Sequence, residues 1–288
     1  MVDKYIKVVD EISLKYSYPD NIKHLLYVIL PAFVIKYGIY KEEFIINCLN
    51  NIPIIITGKE DPKIQALYVS YPYFEDKIKT KKAIYLNRYN NIPFLQLLDN
   101  LIHELNHAIN SYKNEIILEK DNFYLRTGLT KSKYNLKDIK LIDKNKSYVL
   151  EEIINSKQTE IIINIISSLE SNNEIIKNTI YAVRSSINGN YISPAYYSLK
   201  YYCKKLLDNK TFLLTIENLR INGNIDDIES WFDSIYGKNG YQVLIDNLFE
   251  LKQLQNKKGF FVERKINKLT IKLVNLSSRF NNNCNLKV

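Results

Sequence analysis

The sequence predicts an α+β fold in which a small β-sheet and several helices, residues 1–171, precede a mostly helical half, residues 172–288. Helical spacing of apolar residues indicates the helices, and short β-branched and aromatic runs indicate the strands. No low-complexity linker or internal repeat separates the two halves. The boundary is therefore soft, and a single domain is the alternative.

The first 50 residues predict two or three helices. Their most apolar run, LLYVILPAFVI, contains Pro31, so we expect a buried helix with a kink or break at that residue. The run is too short to cross a bilayer. The charges spread through the N-terminus do not fit a signal peptide. Strands are then expected in three runs: residues 52–57, 64–74 and 81–89.

The next helix is predicted over NIPFLQLLDNLIHELNHAINSY, residues 91–112. Asn91 is placed where a helix cap lies, and Pro93 suits an early helical position. Six apolar residues recur at helical spacing: Phe94, Leu97, Leu98, Leu101, Leu105 and Ala108. One side of this helix is therefore built for burial, and the helix carries two of the three histidines of the chain.

Residues 115–134 then predict two short strands around a turn at residues 120–122. A polar connection, NLKDIKLIDKNKS, leads to a long helix, YVLEEIINSKQTEIIINIISSLE. Beyond it the chain is expected to be mostly helical. The segment INGNYISPAYY is its most loop-like part, and an amphipathic helix is expected near residues 260–280.

Composition and charge limit the possible partners. The chain is 46% hydrophobic and 25% charged, which excludes a wholly disordered protein. A net charge of +9 is typical of a nucleic-acid or anionic-surface partner. The lysines are scattered, however, and their tightest runs alternate with apolar residues, which favours solvated helix and hairpin faces. We therefore expect neither a nucleic-acid nor a membrane partner, and the oligomeric state stays open.

The cysteines indicate the compartment. Cys48, Cys203 and Cys284 are odd in number and far apart, and no CxxC pair occurs. Neither a disulfide framework nor a cysteine zinc site is indicated. A reducing, cytoplasmic location is the expectation.

The sequence HELNH, residues 103–107, carries the chemistry. His103 and His107 are i and i+4 on the helix, about 40° apart around its axis, so both rings reach one point beside it. Zn²⁺ binds imidazole nitrogens at roughly 2.0–2.1 Å, which this spacing permits. Glu104 projects to a neighbouring sector, where it is placed to take a proton from a zinc-bound water. The alternative is a structural pair with one histidine in the core, and His24 has such a structural interpretation.

HELNH resembles the HExxH motif of the zincin metallopeptidases. The resemblance, which covers roughly residues 90–165, implies His103 and His107 as zinc ligands and Glu104 as the general base. The residues after His107, AINSYK, lack the glycine and third histidine of the metzincins. A carboxylate from a later helix, as in gluzincins, is then the expected third ligand. Asn106 stands where cytoplasmic regulator peptidases usually have glycine, so no subfamily is matched.

Glu152 is the predicted third ligand, with Glu151 as the close rival and Glu160 as the third choice. Glu152 heads a stripe at i+3/i+4 spacing that begins polar and ends apolar: Glu152, Asn155, Thr159, Ile163 and Ile166. Asn155 is placed to hydrogen-bond a ligand. The alternative is that acidic residues in a first helical turn only complement the helix dipole. The long gap after His107, and Ser156 in place of an aspartate, depart from thermolysin-like enzymes.

The expected function is a cytoplasmic zinc metallopeptidase that cleaves a peptide or protein substrate. Its oxyanion stabiliser is undecided among Tyr191, Tyr196, Tyr197 and Arg126. Two other functions remain as alternatives. One is a zincin-fold module that binds metal without peptidase activity, and the other is a basic helical nucleic-acid-binding protein with an incidental HELNH.

Overall fold

The computed structural model describes residues 2–38, 41–57, 64–87, 92–113, 115–255 and 257–284, except for the side chains of residues 225 and 277–284. After a 3₁₀ turn, Val2–Tyr5, the helices are α1 (Ile6–Tyr16), α2 (Asp20–Tyr37), α3 (Glu42–Asn51), α4 (Phe94–Ser111), α5 (Tyr148–Ser168), α6 (Glu174–Ser186), α7 (Tyr197–Tyr202), α8 (Lys204–Leu207), α9 (Lys210–Asn222), α10 (Ile225–Tyr236), α11 (Gly240–Leu254) and α12 (Phe260–Cys284). The strands are β1 (Ile54–Ile56), β2 (Ala66–Phe74), β3 (Ile78–Leu86), β4 (Ile116–Glu119), β5 (Asn122–Thr127), β6 (Thr130–Asn135) and β7 (Leu141–Lys144).

The α+β class is confirmed, with small sheets and a helical C-terminal half. The expected strands in the three runs before the HELNH helix are β1, β2 and β3, and the loop-like segment before α7 is free of helix and strand. Asn91, expected as a helix cap, lies outside the described residues. In the described part of the chain, no helix has the length and hydropathy needed to span a bilayer.

Two compact units divide the chain differently from the predicted halves. One unit comprises residues 1–109 and 158–193, and the other comprises residues 110–157 and 194–288. The chain therefore passes from one unit to the other inside α4 and returns inside α5. The predicted division after residue 171 stays a prediction.

The unit of residues 1–109 and 158–193 combines helices with a three-stranded sheet of order β1-β3-β2. β1 runs parallel to β3, and β2 runs antiparallel to it. Helix α2 packs against α1, α3 and α6. It is buried along most of its length because nearly all of its residues after Ile22 are apolar.

Helix α2 is buried as expected and continues through Pro31, so of the expected kink or break the break is wrong. A proline inside a helix removes one backbone hydrogen bond and costs about 3 kcal/mol. Leu30, Ala32 and Phe33 beside it are fully buried. Burial of such side chains contributes about 1.5–3 kcal/mol each for the larger ones, which offsets the lost bond and keeps the helix intact.

The other unit contains a four-stranded antiparallel sheet of order β4-β5-β6-β7 and the helices from α7 onward. The two strands expected over residues 115–134 are in fact three, and the expected polar connection contains β7. Leu141 and Ile142 of β7 are both exposed, so the strand lacks the one-sided burial that produces an alternating pattern. Its pairing with β6 is irregular at residues 133–134, as is common at a sheet edge.

Candidate metal centre

Helix α4 holds HELNH in a buried position. Its first turn closes when the Leu97 N–H donates to the Pro93 carbonyl (2.9 Å). Of the apolar side predicted from the sequence, Phe94 at the start of the helix is exposed, and the other five residues are buried: Leu97, Leu98, Leu101, Leu105 and Ala108. The polar residues of the motif are buried as well: His103, Glu104, Asn106 and His107. A helix buried on its polar side as well needs a partner for each of those polar groups.

Three predicted ligands come together. The ligand atoms of His103, His107 and Glu152 all lie within 4.8 Å of one another. The two imidazole rings have centroids 4.9 Å apart and are nearly perpendicular, at 78°. Both histidines are buried, whereas Glu152 is partly exposed. The cluster is therefore a set of two nitrogen donors and one carboxylate that keeps some access to solvent.

Glu104 is held by the backbone of β2. The Tyr68 N–H donates to its Oε2 at 2.6 Å, and both residues are buried. The described residues make no hydrogen bond to Oε1. One carboxylate oxygen of Glu104 is thus fixed, and the other keeps its lone pairs for a water molecule.

Tyr68 is able to donate to a helix because it lies on the free edge of the described sheet. Tyr68 is opposite Ile84, whose N–H donates to the Pro53 carbonyl on the β1 side (2.9 Å). The backbone groups of Ile84 therefore point away from β2, and the Tyr68 N–H points out of the sheet. Pro72 has the same parity on β2, where its missing N–H removes no ladder bond.

Asn106, at the position where the related motif has glycine, ties α4 to two other helices. Its Oδ1 accepts from the Tyr37 hydroxyl of α2 (2.9 Å), and its Nδ2 donates to the Thr159 hydroxyl of α5 (3.5 Å). Asn106 and Thr159 are fully buried. The departure from the glycine pattern thus has a structural cause, because glycine at this position would leave both hydroxyls without this partner.

Glu151, the rival ligand, is committed to a buried ion pair. Its carboxylate accepts from Arg220 Nε (2.9 Å) and, through the other oxygen, from Arg220 Nη2. The Leu129 N–H also donates to it (2.8 Å). Arg220 and Glu151 are 0% and 1% exposed. Glu151 therefore serves neither of the roles considered from the sequence, since it does not join the metal cluster and does more than complement a helix dipole.

The tip of the β5–β6 hairpin fits against Glu151. Gly128 has φ +58°, and a Cβ at this position would lie 2.2 Å from the Glu151 carboxylate. The Gly128 N–H donates to Ser111 Oγ (3.1 Å), and the Leu129 carbonyl accepts from Ser147 Oγ (2.9 Å). This turn thus needs glycine for its backbone conformation and for space. It holds the first turn of α5, which Glu152 directly follows.

Arg126 is a structural residue, so its candidacy as an oxyanion stabiliser is wrong. Its side chain is 0% exposed. It donates to the carbonyls of Asn110 (2.7 Å), Gly128 (2.8 Å), Arg220 (3.0 Å) and Lys113. The Asn110 carbonyl is at the C-terminal end of α4, where a cation also complements the helix dipole. A guanidinium enclosed in this way does not reach a substrate.

Tyr191 is also engaged. Its hydroxyl donates to Asp99 Oδ2 of α4 (2.6 Å), and its backbone is bound on both sides by the Asn164 amide of α5. Burial, together with the Asp99 carboxylate, raises the pKa of Tyr191 far above its usual range. Tyr191 therefore anchors the loop before α7 as a neutral donor. Tyr196 is partly exposed and Tyr197 is exposed, and neither is distinguished as an oxyanion stabiliser.

The remaining predicted residues of α5 are buried, and the predicted hydrogen bond from Asn155 to a ligand stays a prediction. Glu160 is buried but is not part of the metal cluster. Asn155 is fully buried, and the Ser156 hydroxyl donates to the Ala195 carbonyl (2.9 Å).

Arg220 was not predicted from the sequence, although a signal existed. It follows Phe212 and Ile216 at i+4 spacing on α9, and both of these residues are fully buried. An arginine on an apolar stripe indicates a buried ion pair.

The first prediction concerns the buried ion pair. Arg220→Met leaves the Glu151 carboxylate buried without its cation, and we expect a loss of about 3–5 kcal/mol in the free energy of unfolding. The Glu151→Gln/Arg220→Met double variant should lose less, because no unpaired charge remains. Denaturant unfolding of each variant measures this. Arg264→Met, which alters an exposed arginine of α12, is the matched control. Stability of Arg220→Met equal to that of the control contradicts the assignment.

The second prediction concerns Asn106. Asn106→Ala removes the partner of two hydroxyls, and we expect a loss of about 1–3 kcal/mol in the free energy of unfolding. Asn178→Ala on α6 changes an exposed asparagine and carries the same gain in helix propensity, so it is the control. Thermal and urea unfolding of both variants measure the difference. An Asn106→Ala variant as stable as Asn178→Ala would rule out the bridging role.

Comparison of the chain with protein-family models, curated proteins and solved structures finds no match. The resemblance to zincins therefore rests on HELNH and on the residues around it. A function for the chain has to come from the chemistry of the cluster formed by His103, His107 and Glu152.

Proposed function

We propose that this chain is a zinc-dependent metallopeptidase in which His103, His107 and Glu152 bind Zn²⁺ and Glu104 is the general base. The observation that carries the proposal is that the ligand atoms of His103, His107 and Glu152 all lie within 4.8 Å of one another, since these are the donors that HELNH and a later glutamate would supply. Glu104 lies between the two histidines on α4, with one oxygen fixed and one available.

The donor set suits a catalytic zinc ion. Zinc in hydrolytic sites takes three protein ligands, often two histidines and a glutamate, and keeps a fourth position open. Partial exposure of Glu152 beside two buried histidines is consistent with an open side. Fe(II) also accepts two histidines and one carboxylate. A glutamate placed as a base beside the histidines favours hydrolysis, and therefore zinc.

When bound, Zn²⁺ supplies a Lewis acid that polarises a carbonyl and lowers the pKa of water to about 7. Glu104 Oε1 accepts the proton of the attacking water and then transfers it to the leaving amine. The Tyr68 N–H keeps Oε2 in place during both transfers. Because this donor belongs to a paired strand, the base needs little reorganisation as the proton moves.

Two alternatives make different predictions. A metal-binding module without peptidase activity would bind zinc, and its function would be unchanged in Glu104→Gln. A basic nucleic-acid-binding protein would need neither zinc nor Glu104, and the scattered lysines give it little support. A cytoplasmic location and a peptide or protein substrate remain part of the proposal.

The third prediction concerns metal content. We expect one Zn²⁺ per chain in untagged protein, and a steep fall in zinc affinity in His103→Ala, His107→Ala and Glu152→Ala, because each removes one of three ligands. Glu160→Ala, which changes a buried glutamate outside the cluster, should keep its zinc and is the control. Elemental analysis for zinc and iron, together with the thermal shift on zinc addition, measures this.

Three results would contradict the metal assignment. Full zinc occupancy in either histidine variant would place the ion elsewhere, and full occupancy in Glu152→Ala would remove the glutamate from the site. Stoichiometric iron instead of zinc would replace the proposed reaction class.

The fourth prediction concerns the base. Glutamine in Glu104→Gln has the size of glutamate but cannot accept a proton. The rate of hydrolysis should therefore fall by at least about two to four orders of magnitude. Zinc content and unfolding temperature should stay close to those of the wild type. Cleavage of a mixed peptide pool, followed by mass spectrometry, compares the two proteins, with Glu160→Gln as the control. Equal cleavage by Glu104→Gln and wild type would show that Glu104 is not the base.

A further inference from the structure

Lys252 of α11 is held beside the proposed ligand Glu152. Its Nζ lies 4.5 Å from the ring centroid of Tyr148 and 5.1 Å from that of Tyr196. Tyr148 is one helical turn before Glu152 on α5, so both side chains occupy the same face of that helix. The Glu152 carboxylate acts electrostatically on both Tyr148 and Lys252.

Among the described residues, the Lys252 ammonium has no ion-pair partner. Lys252 is partly buried, and the described residues make neither a hydrogen bond nor a salt bridge to it. Burial lowers its pKa, the Glu152 carboxylate raises it, and Lys144 lowers it further. The two tyrosine rings stabilise the cation through their faces, which leaves N–H donors of the ammonium without acceptors. Some other lysines of this unit do have an ion-pair partner, as Lys146 has in Asp246 (2.7 Å).

Zinc binding would leave the positive charge of Lys252 less compensated than it is without the metal ion. The Glu152 carboxylate acts electrostatically on Lys252, and ligation would commit that negative charge to the metal ion. Lys252 would then retain a partly desolvated positive charge with no protein anion to neutralise it. Such a group binds an incoming anion strongly.

We propose that Lys252, between Tyr148 and Tyr196, is a substrate-binding residue that takes a carboxylate of the peptide, either its C-terminal group or an acidic side chain. This inference rests on the proposed function. It adds a substrate class to it, namely peptides that place a carboxylate close to the cleaved bond.

A neighbouring cavity fits the rest of such a peptide. A cavity of about 420 Å³ is lined by three tyrosines, Tyr196, Tyr197 and Tyr202, by the apolar residues Pro194, Leu251 and Ile266, and by the polar residues Ser198 and Gln255. Leu251 immediately precedes Lys252 on α11, and Tyr196 lines the cavity while also contacting the ammonium. An apolar or aromatic residue next to the bound carboxylate would bury its side chain there.

The test measures binding rather than turnover. A synthetic library of octapeptides is prepared in two forms, with free C-terminal acids and with C-terminal amides, and with Asp and Glu balanced by Asn and Gln. Peptides retained by the Glu104→Gln protein are identified by mass spectrometry. The selection is repeated with three double variants, in which Lys252→Met, Lys252→Arg or Lys238→Met is added to Glu104→Gln. Lys238 is an exposed lysine, so Lys238→Met is the control. Each selection is run with zinc and without it, and zinc content is measured separately.

We expect carboxylate-bearing peptides to be enriched, and Lys252→Met to reduce that enrichment about tenfold or more. Lys252→Arg should keep most of it, and Lys238→Met should keep all of it. Enrichment only among free acids assigns the C-terminal carboxylate, and enrichment of Asp or Glu in both forms assigns an acidic side chain.

Absence of a carboxylate preference, absence of retained peptides, or an unchanged preference in Lys252→Met overturns the inference. Loss of zinc in Lys252→Met also overturns it, because the residue would then support Glu152 instead of the substrate. Failure of the wild type to bind zinc overturns the proposed function separately, and the metal-free selection still reports on Lys252.

Discussion

The buried ion pair between Glu151 and Arg220 fixes the start of α5. A carboxylate with 1% exposure is stable as an anion only with a cation and further donors, and here a guanidinium and the Leu129 N–H supply them. The hairpin tip approaches closely because Gly128 has no Cβ. Since α9, the β5–β6 hairpin and α5 meet at one carboxylate, the position of the first turn of α5 is set by interactions that tolerate little displacement.

The ion pair of Glu151 also positions Glu152, because Glu152 is the next residue on α5. Adjacent residues on a helix point about 100° apart, so a carboxylate enclosed by Arg220 leaves its neighbour facing another side. Glu152 is partly exposed and joins His103 and His107. A metal ligand must be held close to its required geometry by the surrounding structure. For the proposed ligand Glu152, the neighbouring residue Glu151 provides that support through its ion pair with Arg220.

The features predicted from the sequence depend on short-range patterns, and those that were missed depend on distant residues. The HELNH helix follows from apolar spacing within 20 residues, and the histidine pair from i+4 geometry alone. Choosing between Glu151 and Glu152 required Arg220, which comes 69 residues after Glu151. The role of Asn106 likewise required Tyr37 of α2. Strand β7 was missed for another reason, because its exposed apolar residues give no alternating pattern.

Glu104 and Glu151 show how environment separates two buried glutamates. Both oxygens of Glu151 bind a guanidinium, which stabilises the anion and makes it a poor base. Glu104 has one neutral donor, the Tyr68 N–H, and an oxygen to which the described residues make no hydrogen bond. A charged partner at that position would hold the side chain but would weaken its attraction for a proton. A backbone N–H from a paired strand holds it without contributing a full charge, and this is the environment that a general base requires.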